Sequence, residues 1–397
     1  MSKRLLQLNE CLHFSTGKIT QQIGEAAIVD GWNSWIAYSI REPFMPSKSK
    51  LITVGNKIDP YMHYAENLFL DREGLSSRRA TRKLIAQIQI VKPDVIQLHN
   101  LHDHWLNYQI LFEYLNKTDI KVVWTFHDCW AFTGHCFHFV TKKCERWKKE
   151  CYDCPLQREY PKSYLDRSRK NFELKKSLFS SCQNLTIVAC SEWMAGLVRE
   201  SFLKDKRIEV IHNGIDLMTF IPSKAKLDDG KFRILAVSNV WNKEKGFYDL
   251  MRLRKILPSD YEITIVGLNK KQLYAIPEGI KGIERTQNVQ ELVELYSSSD
   301  LLINTTYADT FPTINIEALA CGTPVVTYRT GGSPEILDDR TGVVVEQGNV
   351  EAMAQAIKWL RQKPLNAEDC RTRAESNFEK FERFQDYIKL YEQILNK

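Results

Sequence analysis

The stretch DTFPTINIEALACGTPVV at residues 309–326 carries the pattern that decides the fold. It follows an apolar run that ends near a carboxylate, Asp309, and it continues through a turn in which Pro312 suits the first turn of a helix. A second carboxylate, Glu317, lies about one helical turn further on, and a new apolar run ends the stretch. Strand, turn, helix and strand in this order are typical of a parallel sheet covered by helices.

The same stretch predicts a site for an anion. The first backbone N–H groups of a helix are unpaired and carry a partial positive charge, which favours a phosphate or diphosphate there. Glu317 is placed to accept hydrogen bonds from two vicinal hydroxyls, and Asp309 is placed to do the same for a second sugar. The pattern therefore favours a nucleotide sugar as the ligand.

Outward from this stretch, short apolar runs alternate with amphipathic segments along the whole chain. This alternation predicts right-handed βαβ units and an α/β class with parallel sheets. The predicted strands are Arg4–Leu8, Trp35–Ile40, Asp94–Leu98, Val122–Phe126, Leu185–Ala189, Phe232–Val237, Glu262–Val266, Leu301–Asn304 and Pro324–Tyr328. Predicted helices in the first half are Thr20–Asp30, Ser77–Val91 and Trp105–Asn116.

A polar stretch without apolar periodicity interrupts the alternation around residues 222–231 and indicates a linker. We therefore predict a first Rossmann-like domain at 1–213, a linker at 214–230 and a second Rossmann-like domain at 231–375. The closing segment, 376–397, is predicted as a helix that packs back on the first domain.

Composition agrees with a packed globular protein, since 43% of the 397 residues are hydrophobic and 26% are charged. The apolar stretch within the first ten residues is too short for a signal peptide, and no run approaches the roughly 18 apolar residues of a spanning helix. We expect a cytoplasmic chain whose membrane contact is peripheral, at the inner face of the membrane.

Positive charge is concentrated in one segment. Residues 142–176 hold twelve Lys or Arg against six Asp or Glu, while the whole chain has a net charge of +6. Interleaved aromatic residues suit a lipid–water interface, so an anionic membrane surface is the favoured partner and a solvated helical face is the alternative. No nucleic-acid module accompanies the segment, so nucleic acid is not expected.

Cysteines crowd into the same region, which we treat as an insertion at about 129–176. Cys136, Cys144, Cys151 and Cys154, the last two as Cys-x-x-Cys, could hold a structural Zn²⁺ ion. Reduced, packed thiols are the alternative, because the spacing of the first three is irregular.

Several motifs resemble one enzyme family. Asp309 and Glu317 are eight residues apart, and with ALACGTPVV at 318–326 and GGSPE at 331–335 they resemble the E-x7-E region of the retaining family 4 glycosyltransferases. VIHNGID at 210–216, EKG at 244–246 and STG at 15–17 resemble further segments of that family, in the same order along the chain.

The resemblance implies a GT-B fold, in which two doubly wound Rossmann-like domains face across a cleft. It implies that the second domain holds a nucleoside diphosphate sugar and the first an acceptor. The expected reaction moves a hexose, with retention, to a glycolipid, oligosaccharide or polysaccharide repeat unit without a catalytic metal. A nucleotide-sugar epimerase and a non-catalytic partner subunit are the alternatives.

The resemblance also assigns residues. Glu317 would bind the ribose, Asp309 the transferred sugar and Lys245 the diphosphate, while His127 would lie near that sugar. The implied catalytic residues are His127 and Asp309, and the implied donor-binding residues are Gly17, Lys243, Lys245, Phe311, Thr313, Ile314 and Glu317. This sequence departs from the family where Asp309 replaces the usual Glu, and where Asn239 and Val240 occupy the positions of a usual Arg.

Overall fold

Long apolar runs form the centres of two sheets in this computed structural model, which describes residues 2–223 and 229–396. The chain divides into two units. One comprises residues up to 211 together with those from 383 onward, and the other comprises 212–382.

The first unit is built on a seven-stranded sheet of order β3-β2-β1-β4-β5-β6-β7, in which every pair is parallel. Its inner strands are buried on both faces, which is why they appear in the sequence as mostly apolar runs such as LLQL and LTIVA. The strands are β1 Arg4–Leu8, β2 Asn33–Ser39, β3 Lys50–Val54, β4 Val95–Leu98, β5 Lys121–Phe126, β6 Leu185–Ala189 and β7 Arg207–Val210.

Helices connect these strands on both faces of the sheet. They are α1 Phe14–Val29, α2 Asp59–Leu70, α3 Arg78–Val91, α4 Tyr108–Leu115, α5 Ser168–Ser180 and α6 Glu192–Glu200. Between β5 and α5, the described chain forms three short 3-10 helices, at Trp130–Phe132, Val140–Lys142 and Arg146–Lys148. The helix predicted from Trp105 begins at Tyr108 instead, because the Asn107 side chain caps it by accepting from the N–H of Ile110 (2.9 Å).

The second unit is built on a six-stranded parallel sheet of order β10-β9-β8-β11-β12-β13. Its strands are β8 Phe232–Val237, β9 Tyr261–Val266, β10 Ile280–Ile283, β11 Leu301–Asn304, β12 Val325–Tyr328 and β13 Gly342–Val345. Its helices are α7 Phe247–Ile256, α8 Lys270–Ala275, α9 Val289–Ser298, α10 Thr313–Ala320, α11 Ser333–Ile336, α12 Val350–Gln362 and α13 Ala367–Phe378, followed by α14 Lys380–Leu395. The predicted α/β class with two doubly wound parallel sheets is confirmed.

The unit boundaries differ from the predicted ones. The predicted linker, 214–230, belongs to the second unit where it is described, and residues 224–228 lie outside the described residues. A small parallel bridge connects the predicted linker to the segment between α13 and α14. In it, the N–H of Ile215 donates to the carbonyl of Phe378, and the N–H of Lys380 donates to the carbonyl of Ile215.

The C-terminal helix α14 begins in the second unit and continues into the first. There Tyr387, Ile388 and Tyr391 pack in a core with Leu5 and Val188. The predicted 376–397 helix is thus divided between the end of α13 and α14. None of the helices in the described ranges is both long and apolar enough to cross a bilayer.

Candidate functional site

In the second unit, the predicted donor-binding residues lie near the carboxyl end of β11. Neighbouring parallel strands end at the same edge of the sheet, so residues that follow different strands lie close together there. Asp309 lies in the loop between β11 and α10, and its Oδ1 accepts from the N–H of Phe311 (3.3 Å). Gly331 supports this loop from the β12 side, since a Cβ there would lie 1.8 Å from the carbonyl oxygen of Asp309. The close backbone approach explains why glycine occupies position 331.

Lys245 reaches the same loop from a tight turn before α7. Its Nζ lies 3.0 Å from Oδ2 of Asp309, and both side chains are partly exposed. The turn is fixed because Gly246 has a φ of +74° and a Cβ there would lie 2.2 Å from the carbonyl oxygen of Thr305. The Thr305 hydroxyl donates to the carbonyl of Lys245 (3.0 Å). The structure therefore brings Lys245 and Asp309 into direct contact.

Glu317 sits in the middle of α10, and Tyr296 from α9 holds it. The buried Tyr296 hydroxyl donates to Oε2 of Glu317 (2.9 Å), and burial together with this carboxylate raises the pKa of Tyr296. The hydroxyl of Thr323 in turn donates to the Tyr296 carbonyl (2.7 Å). Sequence reasoning missed Tyr296, because nothing in its local pattern distinguishes it from an ordinary core tyrosine.

The other predicted donor-binding residues differ in their exposure and in the contacts that they make. Thr313 and Ile314 form the first turn of α10, which begins after Pro312 without a side-chain cap. Lys243 is exposed, and its carbonyl accepts from the N–H of Gly246. The ring of Phe311 is buried and stacks on His212 at 4.7 Å, so the phenyl group is used in packing.

In the first unit, the half-buried His127 follows β5 and joins the buried side chains of His99 and Gln7 in a hydrogen-bonded chain. Nε2 of His99 lies 3.2 Å from Oε1 of Gln7, and Nδ1 of His99 lies 3.1 Å from Nε2 of His127. The Gln7 amide N–H donates to the carbonyl of Thr20 (2.8 Å), which leaves Oε1 as the acceptor facing His99. His99 therefore donates from Nε2, accepts at Nδ1 and fixes His127 as the Nε2–H tautomer.

Burial keeps both of these histidines neutral. It lowers the pKa of His127 to about 4 and that of His99 well below the usual value. Neighbouring His102 behaves in the opposite way: burial alone would lower its pKa, but the Asp128 carboxylate, 2.7 Å from its Nε2, raises it to about 9. A charged and a neutral imidazole thus lie at adjacent strand ends.

Gly17 is placed differently from the predicted loop. Residues 15–17 belong to the first turns of α1, and Gly17 is buried. A Cβ there would lie 2.4 Å from the backbone carbon of Leu12, so glycine is needed for the chain to turn closely onto the helix. Just before it, Phe14 has a φ of +57° and an exposed ring, a strained conformation for an aromatic residue.

Three buried groups form the one set of potential metal ligands within 4.8 Å of one another in the described residues: His63, Glu73 and His104. Both nitrogens of His63 are already occupied, by the Ser77 hydroxyl and the N–H of Gly74. We interpret this set as a structural network.

The predicted cysteine ligands line one small cavity in the 129–167 segment. Cys136, Cys144, Cys151 and Cys154 all face it, together with His135. All four cysteines are free thiols. The structure therefore brings the four together, although no three of these ligand atoms lie within 4.8 Å of one another in the described chain.

Solved structures place this architecture in a known class. The chain superposes on sucrose-phosphate synthase from Thermosynechococcus elongatus with a TM-score of 0.75 at 15% identity, covering 99% of both chains. It superposes on Anabaena Alr3699/HepE, solved with UDP-glucose, with a TM-score of 0.64 at 14% identity, covering 98% and 99%. The two doubly wound parallel sheets are those of the GT-B fold.

Sequence comparisons give the family. Residues 46–218 match the model described as Glycosyltransferase Family 4, and residues 231–363 match the model described as Glycosyl transferases group 1. WcaC of Escherichia coli (strain K12), named for colanic acid biosynthesis glycosyl transfer, is 27% identical over 282 residues, 67% of each chain. The chain spans less than half of the D-inositol 3-phosphate glycosyltransferases that it also matches. It belongs to glycosyltransferase family 4 and is a glycosyltransferase, as predicted.

Proposed function

We propose that this glycosyltransferase moves a hexose from a nucleoside diphosphate sugar to a glycolipid or polysaccharide repeat unit, with retention at the anomeric carbon. One observation carries the proposal: Lys245, Asp309, the uncapped start of α10 and Glu317 lie on one strand-end edge of the second unit. Cation, helix N-terminus and two carboxylates are the groups that a diphosphate flanked by two sugars requires.

In this proposal, the donor takes over contacts that the structure shows occupied by protein. The diphosphate attracts Lys245 away from Asp309 and accepts from the N–H groups of Thr313 and Ile314, with Lys243 as a further cation. Glu317, oriented by Tyr296, accepts from the ribose hydroxyls. Asp309 then accepts from a hydroxyl of the transferred sugar.

For the transfer step, positive charge on the protein stabilises the leaving group. Lys245 and the α10 dipole offset the charge that develops on the departing diphosphate, and we assign no catalytic metal to this step. The bond from the anomeric carbon to the phosphate oxygen breaks while the acceptor oxygen bonds on the same face, and the acceptor proton passes to that phosphate oxygen. His127, neutral and held as the Nε2–H tautomer, positions the sugar by hydrogen bonding.

The similarity to WcaC supports an acceptor of the polysaccharide type. UDP is the first nucleotide to test, because HepE, which shares the fold, was solved with UDP-glucose. The assay below identifies the base and the sugar of the donor.

We further propose that the first unit docks on an anionic membrane, where such acceptors reside. One face of α2 exposes apolar side chains, with Ile58, Tyr61 and Phe69 each more than half exposed. Phe69 packs on Tyr164 (5.7 Å), and Arg158 and Lys162 lie over the Tyr164 ring. We call this the α2 surface: apolar and aromatic side chains flanked by cations suit a lipid interface.

The rest of the basic segment is less suited to this role. Trp147 is 2% exposed and so is unavailable as an interfacial anchor. Lys148 pairs with Glu145 and Glu200, and Arg169 pairs with Glu150, which offsets part of the local positive charge. The α2 surface is therefore our choice for membrane contact.

A two-stage assay tests the proposed function. The purified chain is screened for nucleoside diphosphate sugars that raise its melting temperature, and a donor at 100 times its Kd should add about 2.7 kcal/mol of stability. That donor is then incubated with and without polyprenyl-diphosphate-linked saccharides. We expect diphosphate release and product only with acceptor. Donor isomerisation without acceptor would indicate an epimerase, and binding without turnover a partner subunit.

Vesicle co-sedimentation tests the α2 surface. Exchanging Tyr61 and Phe69 for serine should reduce binding to anionic vesicles, whereas Tyr274→Ser, at an exposed tyrosine of the second unit, serves as the matched control. Equal binding of both variants would contradict this part of the proposal.

A further inference from the structure

The cavity in the 129–167 segment holds a group that hydrogen bonding within the described protein leaves incomplete. The cavity encloses about 10 Å³, close to the space that one water molecule or one ion needs, so it excludes organic ligands. His135, 3% exposed, lines it, and its Nε2 has no hydrogen-bond partner in the described structure. An unsatisfied buried ring nitrogen costs about 1–3 kcal/mol, which a ligand would recover.

The other nitrogen of the same ring is strongly held. Nδ1 of His135 lies 2.6 Å from Oδ1 of Asp71, and both side chains are 1% exposed. The carboxylate therefore fixes the Nδ1–H tautomer and leaves the lone pair on Nε2. A carboxylate behind an imidazole whose far nitrogen faces ligating groups is the usual arrangement of a metal-binding histidine.

Thiols supply the remaining ligating groups. Cys136, Cys151 and Cys154 line the same cavity as His135. The N–H of Gly134 donates to Sγ of Cys151 (3.3 Å), a contact that favours a thiolate.

A buried lysine connects this segment to α5. Lys175, 1% exposed, donates to the carbonyls of Trp130 (2.7 Å) and Thr133 (3.1 Å), and no carboxylate forms an ion pair with it among the described residues. Thr133 lines the same cavity, so this lysine ties α5 to the segment around it.

We propose that this cavity is a structural Zn²⁺ site whose four ligands are Nε2 of His135 and the thiolates of Cys136, Cys151 and Cys154. Three sulfurs and one imidazole nitrogen match the tetrahedral preference of zinc. The site differs from the four-cysteine set predicted from the sequence, because Cys144 is replaced by His135. Closing the site requires rotamer changes, and a cysteine sulfur moves roughly 3 Å between staggered rotamers.

A zinc ion in this cavity would connect three parts of the first unit. Asp71 follows α2, Lys175 lies on α5, and the thiols belong to the 129–167 segment, which has only short 3-10 helices in the described chain. A metal here would join these three parts without taking part in sugar transfer. Its test is therefore independent of the proposed reaction.

Metal content and Co²⁺ spectra of the full-length chain test the site. We expect close to one Zn²⁺ per chain, retained in Cys144→Ser and lost in His135→Ala and Cys154→Ser. In the Co²⁺-loaded protein, the sulfur-to-metal charge-transfer band should have the intensity of three thiolates. Asp71→Asn, a positioning change, should weaken Zn²⁺ affinity about 10- to 100-fold.

His135→Cys keeps the test decisive if His135→Ala fails to fold. This variant should hold Zn²⁺ and shift the Co²⁺ band to four thiolates. Loss of zinc in Cys144→Ser, an unchanged Co²⁺ spectrum in His135→Cys, or wild-type protein that binds no added Zn²⁺ while its four thiols titrate freely would overturn the proposal.

Discussion

Replacing Asp309 by Asn should tighten nucleotide binding while it slows sugar transfer. In the structure, Lys245 Nζ is 3.0 Å from Asp309 Oδ2, with 36% and 25% of the two side chains exposed. Partly exposed ion pairs of this kind contribute about 0.2–1 kcal/mol. A diphosphate must break this pair before it gains the lysine, so removing the carboxylate charge removes that cost.

The size of the expected change in UDP affinity follows from the energy of this ion pair. A change of 0.2–1 kcal/mol corresponds to a UDP dissociation constant about 1.4- to 5-fold lower in Asp309→Asn. Transfer should fall about 10- to 150-fold, since a hydrogen bond from a sugar hydroxyl to a charged group contributes about 1.5–3 kcal/mol. Asn retains the shape and the oxygen that accepts from Phe311, which limits effects on folding.

Isothermal titration calorimetry with UDP measures the first effect, and a double-mutant cycle assigns its cause. In a Lys245→Met background, Asp309→Asn should leave UDP affinity unchanged, because the pair is already broken. High salt should reduce the difference between wild type and Asp309→Asn. Weaker UDP binding in Asp309→Asn, or an equal gain in the Lys245→Met background, would refute this reasoning.

Three further predictions concern single hydrogen bonds and charges. Tyr296→Phe should raise KM for the donor more than it lowers kcat, because the hydroxyl orients Glu317; the exposed Glu278→Gln serves as a control, and steady-state kinetics decide. Tyr391→Phe should cost about 1–3 kcal/mol in urea unfolding, because Oε1 of Gln97 then loses a buried donor (2.9 Å). His102 has a pKa raised to about 9, so its contribution to stability is complete below pH 6.5 and is lost as pH rises toward 9. The free energy of unfolding from urea titrations should fall by about 3 kcal/mol over this range, a decline that His102→Gln lacks.

Sequence patterns predicted the sheets well because parallel strands are buried on both faces, so that a short run such as VVWTF is typical of a central strand. They missed the edge strands β3, β7 and β10, and the helix α2 that follows β3. Lys50 and the exposed apolar residues of α2 break the periodicity that would have revealed them. Edge elements are shaped by one-sided packing, which local sequence does not encode.

For the candidate site, pattern alone pointed to residues that lie in one segment of the chain. Asp309 and Glu317 belong to a single strand–turn–helix stretch. The groups that orient the site side chains come from other parts of the chain. Tyr296 from α9 orients Glu317, and His99, itself bonded to Gln7, orients His127. These partners meet only through sheet order, since β1 and β4 are neighbours although they are some 90 residues apart in sequence.

The side chains at the strand ends of the two units differ in charge and in exposure. In the second unit, Lys245 and Asp309 are partly exposed charges joined by a weak pair, so an incoming diphosphate can exchange partners at small cost. In the first unit, the half-buried His127 ends a neutral chain in which each hydrogen-bond direction follows from the one before it, starting at the buried Gln7 amide. Reversing the His127 tautomer alone would set two acceptor nitrogens against each other between His99 and His127. Reversing the whole chain would set the Gln7 amide oxygen against the carbonyl of Thr20. An exchangeable charge suits a charged donor that must be bound and released in every cycle, whereas a fixed dipole suits the orientation of a neutral sugar.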